Sequence, residues 1–369
     1  MSRIINSQPL ADRFYMPGEH TEHSELWMAW PVRTDNWRYG GKAAQAVFVN
    51  VAVAIAKHTP VVMVVEHSQF ANARSQLPAE IKVLEMSYND CWMRDIGATY
   101  LVNGRGQRRG VNWQFNAWGG LLDGLYFPWD LDDAVATKML NLTQDDAYNA
   151  PLVMEGGSIH SDGAGTVYTT EECLLHPSRN PELSKQQIEL HLKKYLGAEK
   201  VIWLPRGLYN DETNGHIDNI LHVVKPGEVV LTWCDDPDDP QYHISREAMA
   251  LLSSELDAQG RSIKVHKLPM PGPLYITEEE ATGIDQSEGM ERQAGDRLAA
   301  SYANFLISNG QIIYPLLDQR YDGEAKQVLQ QAFPQHQVVG VAAREILLGG
   351  GNIHCITQQV PAVSACWVD

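Results

Sequence analysis

Short β-branched runs alternate with helical stretches along the whole of this 369-residue chain, and that alternation constrains the fold more than any other feature. The 43–57 stretch reads as a helix, and "PVVMVVE" follows at once as a buried strand. "IKVLEM" from Ile81, "KVIWL" from Lys200, "EVVLTW" from Glu228, "IKVHK" from Ile263, "QIIY" from Gln311 and "QVVGV" from Gln337 read as further strands. "SKQQIELHLKKYLG" from Ser184 carries its own helix limits: Ser184 and Gln187 form a capping box, and Gly197 marks the stop. "REAMALLSSELDAQG" from Arg246 reads as a helix ending at Gly260, and another helix follows Asp322. Alternation of this kind implies an α/β protein. Strands often come in pairs before a helix, so the unit is not a plain βαβ, and it recurs about five times.

Length alone suggests two domains, although single barrels and propellers also reach this size. No linker rich in Pro, Gly or Ser divides the chain, and "CDDPDDPQ" from Cys234 reads as an acidic surface loop. Apolar residues make up 44% and charged residues 20%, which excludes a disordered chain. The net charge of -17, from 29 Lys and Arg against 46 Asp and Glu, repels phosphate backbones and argues against nucleic acid as a partner. It suits solubility, and it also suits steering a cation toward an acidic mouth. Five widely spaced cysteines (Cys91, Cys173, Cys234, Cys355, Cys366) with no CxxC pair fit a reducing compartment. The N-terminal "MSRIINSQPLADRFY" has no signal-peptide pattern, and the apolar window 43–56 is too short to span a bilayer. The expected location is the cytoplasm.

Polar residues collect where apolar strands meet glycines. "NDCWMRDIG" holds Asp90, Trp92, Arg94 and Asp95; "VMEGGSIH" holds Glu155; "DETNGHIDN" holds Asp211, Glu212, His216 and Asp218; "LLGGGNIHCITQQ" holds His354 and Cys355. His216 and Asp218 share a face if the segment is extended, and a carboxylate near a histidine keeps it a proton donor. Such an H-x-D is a weak signal, equally at home in a solvated loop. Cys355 could be a buried structural thiol. Three consecutive glycines before it are hard to explain by packing, and a thiol with a distant histidine is a candidate nucleophilic pair. On an extended backbone the neighbouring His354 points to the opposite face, so it is not taken as the base. Zinc would need spacings that are missing here: no CxxC, HExxH or C2H2 pattern occurs. A phosphate loop would need a following Lys, and nothing matches a dinucleotide fingerprint.

The constellation is therefore one thiol, one histidine and at least three carboxylates, with no metal or cofactor indicated. Carboxylates gathered in one site repel each other unless a cation sits among them. A guanidinium offers five planar N–H donors to flanking carboxylates, and its central carbon is open to a thiolate.

These residues lie in segments that closely resemble the agmatine deiminases of the guanidine-modifying superfamily: "MPGEH", "WMAWP", "NDCWMRD", "FNAWGG", "MEGGSIH", "DETNGHIDN", "SYANF" and "GGGNIHCITQQ", in order over nearly the whole chain. "GEHTEHSELW" is more polar than that family's pattern at the same place. The resemblance implies an α/β fold of the pentein type, a five-bladed propeller of ββαβ units with fivefold pseudosymmetry, in one catalytic domain over residues 1–369. It implies hydrolysis of agmatine to N-carbamoylputrescine and ammonia, on the route from arginine to putrescine, without metal or cofactor. Cys355 would be the nucleophile, His216 the general acid and then base, and Asp95 and Asp218 the carboxylates on the guanidinium. Glu155 would be a further acid on that side, and the glycines at 156 and 349–351, Gly350 among them, would let backbone approach the substrate. Trp92 and Trp118 would either line the substrate or brace the rim. Asp90, Asp211 and Glu212 would either meet the distal amine or solvate a loop. Two other readings stay open: a deiminase of free or peptidyl arginine, in which Arg94 could meet the carboxylate, and a non-catalytic polyamine-binding protein. The resemblance also implies a homo-oligomer, a dimer or larger.

Overall fold

The computed structural model describes residues 2–287 and 291–363, so Cys366 lies outside the described residues. Sixteen strands among them form five separate sheets. The first joins β1 (His23–Ala29), β2 (Val61–Val65) and β3 (Lys82–Glu85) to the last strand, β16 (Gln358–Pro361), in the order β16-β1-β2-β3. The second holds β4 (Thr99–Val102), β5 (Arg108–Gln114) and β6 (Asp146–Val153); the third β7 (His160–Ser161), β8 (Thr166–Thr170) and β9 (Lys200–Leu204). The fourth holds β10 (Leu221–Lys225), β11 (Glu228–Trp233) and β12 (Lys264–Pro269); the fifth β13 (Leu306–Ser308), β14 (Gln311–Leu316) and β15 (Gln337–Ala342).

All five share one pattern: an antiparallel pair, then a parallel partner. A parallel partner needs a crossover, and helical segments supply it, which is why strands pair before each helix in the sequence. In the first sheet the antiparallel partner of β1 is β16, from the far end of the chain, with Leu26 opposite Gln359. β2 is wholly buried and lies between two parallel neighbours, so it reads as unbroken "VVMVV".

The Lys42–Ala56 helix buries Phe48, Val51 and Ile55 in the same core as β1 and β2. With the turn before it, this helix is long and apolar enough to cross a membrane, but that face is a core face. Burying one such side chain contributes about 1.5–3 kcal/mol. The Lys185–Leu196 helix keeps its capping box, and Gly197 closes it at φ +63°. The helix expected over 246–260 runs instead over Gln241–Ser254. Asp239 accepts from the Gln241 N–H at 2.8 Å and starts the helix early. Gly260 belongs to a later turn, in which Asp257 accepts from the Gln259 and Arg261 N–H groups.

One topological fact positions the site. Each sheet's antiparallel pair is entered through a buried segment: Met93–Ile96 before β4, Gly156–Ser158 before β7, Ile217–Ile220 before β10, residues 301–304 before β13 and residues 352–357 before β16.

Candidate active site

Those five segments deliver Asp95, Glu155 with Gly157, His216 with Asp218, Asn304, and Cys355 to one place. The pocket above them is walled by Trp92, Asp95, Trp118, Glu212, His216, the 349–351 glycines and Cys355. The Cys355 sulfur accepts from Asn304 Nδ2 at 3.0 Å and stands 3.6 Å from Asp218 Oδ2. Asn304 Oδ1 accepts from the His354 and Cys355 N–H groups, so one amide fixes both the thiol and its backbone. Burial, with Asp218 and Asp95 nearby, pushes the thiol well above its ordinary value. The direction of that shift favours the protonated thiol.

Asp95 is held at both oxygens: Oδ1 accepts from the Gly157 N–H at 2.8 Å and Oδ2 from Trp118 Nε1 at 2.9 Å. Burial, reinforced by Asp218 and Glu155 and opposed by His216, pushes its carboxyl up to about 6. Trp118 thus lines the pocket and orients a carboxylate. Its "FNAWGG" segment turns sharply, with Ala117 at φ +55° and Trp118 at φ +62°. Trp92 packs on Trp37 at 5.2 Å between ring centres. Both indoles donate to Asp90, which is buried and braces the rim. A side chain at Gly157 would put its Cβ 2.6 Å from His216 Nδ1 and 2.8 Å from Asp95 Oδ1. Only glycine allows these groups to close in. Gly350 stands at φ +106°, and a side chain there would run into Glu212.

His216 lies 4.0 Å from Asp95 through Nδ1 and 3.2 Å from Glu155 Oε2 through Nε2. Burial works against its charge, yet Asp95, Cys173 and Glu155 hold it well above its ordinary value. Glu155 is fully buried and sits behind His216; its other oxygen takes Arg179 Nε at 2.7 Å. Arg179 also donates to Thr213 O, Asn214 Oδ1 and Trp118 O, tying three site loops together.

Asp218 accepts from His354 Nδ1 at 2.8 Å through Oδ2, while its buried Oδ1 has no hydrogen-bond partner among the described residues. Burial opposes its ionisation, but His354 holds it below its ordinary value. His354 therefore does not point away from the site. Residues 352–357 form a turn, with the Thr357 N–H on His354 O, so His354 and Cys355 both face inward.

Arg94 pairs with buried Glu19 at 3.0 Å, away from the pocket wall. Asp211 accepts from the Thr213 and His216 N–H groups and shapes that loop. Glu212 is at the mouth, where Arg292 donates to it, to Asn36 and to Gly349 O. Arg179, Glu19 and Asn304 are site residues that sequence reasoning does not single out, and His354 is named there but set aside. Glu19 and Asn304 have a signal, inside "MPGEH" and "SYANF"; Arg179 lies in none of the quoted segments. Among the described residues, two buried groups of side chains are close enough to hold a metal ion, Glu19 with His160, His222 and His354, and Glu155 with Cys173 and His216. In each the glutamate already meets an arginine.

The sequence pattern of the Porphyromonas-type peptidyl-arginine deiminases matches residues 15–361. A Photobacterium profundum protein named "Putative agmatine deiminase" is 65% identical over 98% of this chain and 100% of its own length. The solved agmatine deiminase of Enterococcus faecalis is 49% identical, with a TM-score of 0.96 over 99% of this chain and 100% of that one. A C. jejuni agmatine deiminase with a cysteine-to-serine substitution and substrate bound is 27% identical, with a TM-score of 0.80 over 94% of this chain and 96% of that one. Match length, identity and shared mixed α/β fold agree: this chain belongs to the Porphyromonas-type peptidyl-arginine deiminase family.

Proposed function

We propose that this chain hydrolyses agmatine to N-carbamoylputrescine and ammonia through a covalent intermediate on Cys355. The observation that carries this is the convergence of a thiol, a histidine and Asp95 on one pocket wall, with buried Asp218 3.6 Å from the sulfur. The substrate guanidinium would lie between Asp95 and the unpartnered oxygen of Asp218, with its carbon over the sulfur. Its charge would lower the cost of the thiolate, and the thiol proton would leave for solvent. The thiolate would add to the guanidinium carbon. His216 would give its proton to the departing nitrogen, releasing ammonia and leaving a thiouronium. Neutral His216 would then take a proton from water as its oxygen adds to that carbon. The carbon–sulfur bond breaks, and the second proton restores the thiol. Glu155 would act from behind His216, holding it cationic, rather than on the guanidinium itself. Trp92 would line the aliphatic tether, and Gly350 would leave room for it. No step in this scheme calls on a metal or cofactor.

Free arginine is the second reading, because Arg292 stands at the mouth. Glu212 already takes that guanidinium at both oxygens, which counts against Arg292 as the partner of a substrate carboxylate. Arg94, bound to Glu19, is not placed to read a substrate tail. We further read the five sheets as blades of an α/β propeller with fivefold pseudosymmetry in one catalytic domain. The repeated strand pattern, the five buried segments and the β16–β1 closure support that reading. The expected assembly is a homo-oligomer in the cytoplasm, supplying the route to putrescine.

The test is product analysis by mass spectrometry with agmatine, free arginine and an arginine peptide, with Cys355→Ala beside each. N-carbamoylputrescine from agmatine, absent with the variant, is the expected result. Citrulline from arginine would overturn the substrate, and turnover by Cys355→Ala would overturn the mechanism. Binding of agmatine by the unaltered protein without product would leave a binding protein.

A further inference from the structure

We propose that His354 is a positioning residue for this reaction: as an imidazolium clamped between Glu19 and Asp218, it fixes one oxygen of Asp218 and aims the other at the guanidinium. This rests on the roles given above to Asp218 and Cys355. His354 is fully buried, and both ring nitrogens meet carboxylates: Nδ1 to Asp218 Oδ2 at 2.8 Å, Nε2 to Glu19 at 2.9 and 3.1 Å. A neutral imidazole has one donor and one acceptor nitrogen, so it would set a lone pair against one of those carboxylates. The cation satisfies both.

The clamp is anchored at its far end. Glu19 takes Arg94 Nη1 at 3.0 Å, and the Arg94 N–H donates to Cys355 O at 3.0 Å. The chain of charges Arg94, Glu19, His354, Asp218 thus runs back to the backbone of the nucleophile. Charges alternate along it, so each buried ion has an opposite neighbour. The same line leaves Asp218 with one oxygen committed and the other unpartnered.

Every other titratable group against His354 and Asp218 fits this. His160 and His222 wall His354 at 5.1 Å between ring centres, and burial pushes both below their ordinary value, so neither adds a competing cation. Burial and Arg94 work against a charge on His354, but Glu19 and Asp218 outweigh them. On the substrate side Asp218 meets His216, Asp95 and Cys355. Glu19, His160, His222 and His354 are also close enough to share a metal ion. A divalent ion there would sit beside the Arg94 guanidinium and displace a His354 proton that two carboxylates hold. The imidazolium supplies the positive charge instead.

The test is steady-state ammonia release from agmatine across acid to alkaline pH for His354→Gln and Glu19→Gln, with melting temperature as the measure of folding. His354→Gln should lower kcat/KM on the order of 100-fold, chiefly through KM, because a misaimed carboxylate holds the guanidinium less well in ground and transition state alike. Its acid limb should move to higher pH, since Asp218 loses the cation that keeps it ionised. Glu19→Gln should move the alkaline limb of 1/KM to lower pH, since His354 then deprotonates more readily. A folded His354→Gln with unchanged kcat/KM, or a uniform loss in either variant with both limbs in place, would overturn the proposal. If His354→Gln does not fold, Glu19→Gln decides alone, and should it not fold either, the same limb shift is sought in Glu19→Asp. Failure here leaves the parent reading intact if Cys355→Ala still abolishes turnover.

Discussion

Two buried lines of charge approach Cys355 from different sides, and both are built from Arg, Glu, His and Asp in that order. One runs Arg179, Glu155, His216, Asp95, with separations of 2.7, 3.2 and 4.0 Å. The other runs Arg94, Glu19, His354, Asp218, with separations of 3.0, 2.9 and 2.8 Å. The first loosens toward the pocket, and its histidine and aspartate form part of the wall. The second tightens, and its histidine is sealed off. In the proposed scheme the same four residue types make a group free to give up a proton and a group that holds still. Spacing separates the roles.

The sharpest break of that comparison is at the two histidines. His216→Gln removes the proposed proton donor and should cut kcat about 10²- to 10⁴-fold in ammonia-release assays, with a smaller change in KM. The loss should exceed that of His354→Gln and fall on a different kinetic constant. Next come the arginines at the rear. Arg179→Met takes the guanidinium from buried Glu155 and leaves it only His216, at 3.2 Å, and should cost about 3–5 kcal/mol in urea unfolding. A loss below about 1 kcal/mol would mean that the Glu155 charge is not held there. Asp95→Asn keeps the shape of the loose arm but loses a charged contact to substrate worth about 1.5–3 kcal/mol, read as kcat/KM.

The shared sulfur gives a milder contrast. Its raised value means less thiolate at neutral pH than in a free cysteine. Inactivation of substrate-free protein by a neutral alkylating reagent should therefore keep climbing past pH of about 8.5, the free-thiol value. A plateau near pH 7 would show a thiolate already paired with His216. The smallest effect belongs to a pair outside both arms. Arg206 and Glu247 are 2.9 Å apart but nearly half exposed, so Arg206→Ala should change stability by no more than about 1 kcal/mol.

The loose arm is more legible in the sequence than the tight one, for a physical reason. His216 and Asp95 sit in glycine-rich polar stretches that interrupt apolar strands, a local signal. Glu19 meets Arg94 across 75 residues and His354 across 335. Such pairings come from how the sheets close, which no window of sequence carries. His354 defeats the pattern argument because alternation of faces holds on a strand, whereas residues 352–357 turn around the Asn304 amide. The strands are readable because central ones such as β2, β11 and β14 are buried along nearly their whole length and so carry unbroken apolar runs. The Gln241–Ser254 helix is displaced from its expected span because a Gly in a later β-turn resembles its stop.

The β16–β1 pairing also sets an order of events. During synthesis Asp95, His216 and Asp218 are made well before Cys355, and the strand that follows Cys355 must travel back to the first strand of the chain. The carboxylates are therefore synthesised before the sulfur that they surround, and the sheet that follows Cys355 can be completed only once β1 and β16, made far apart in time, have met.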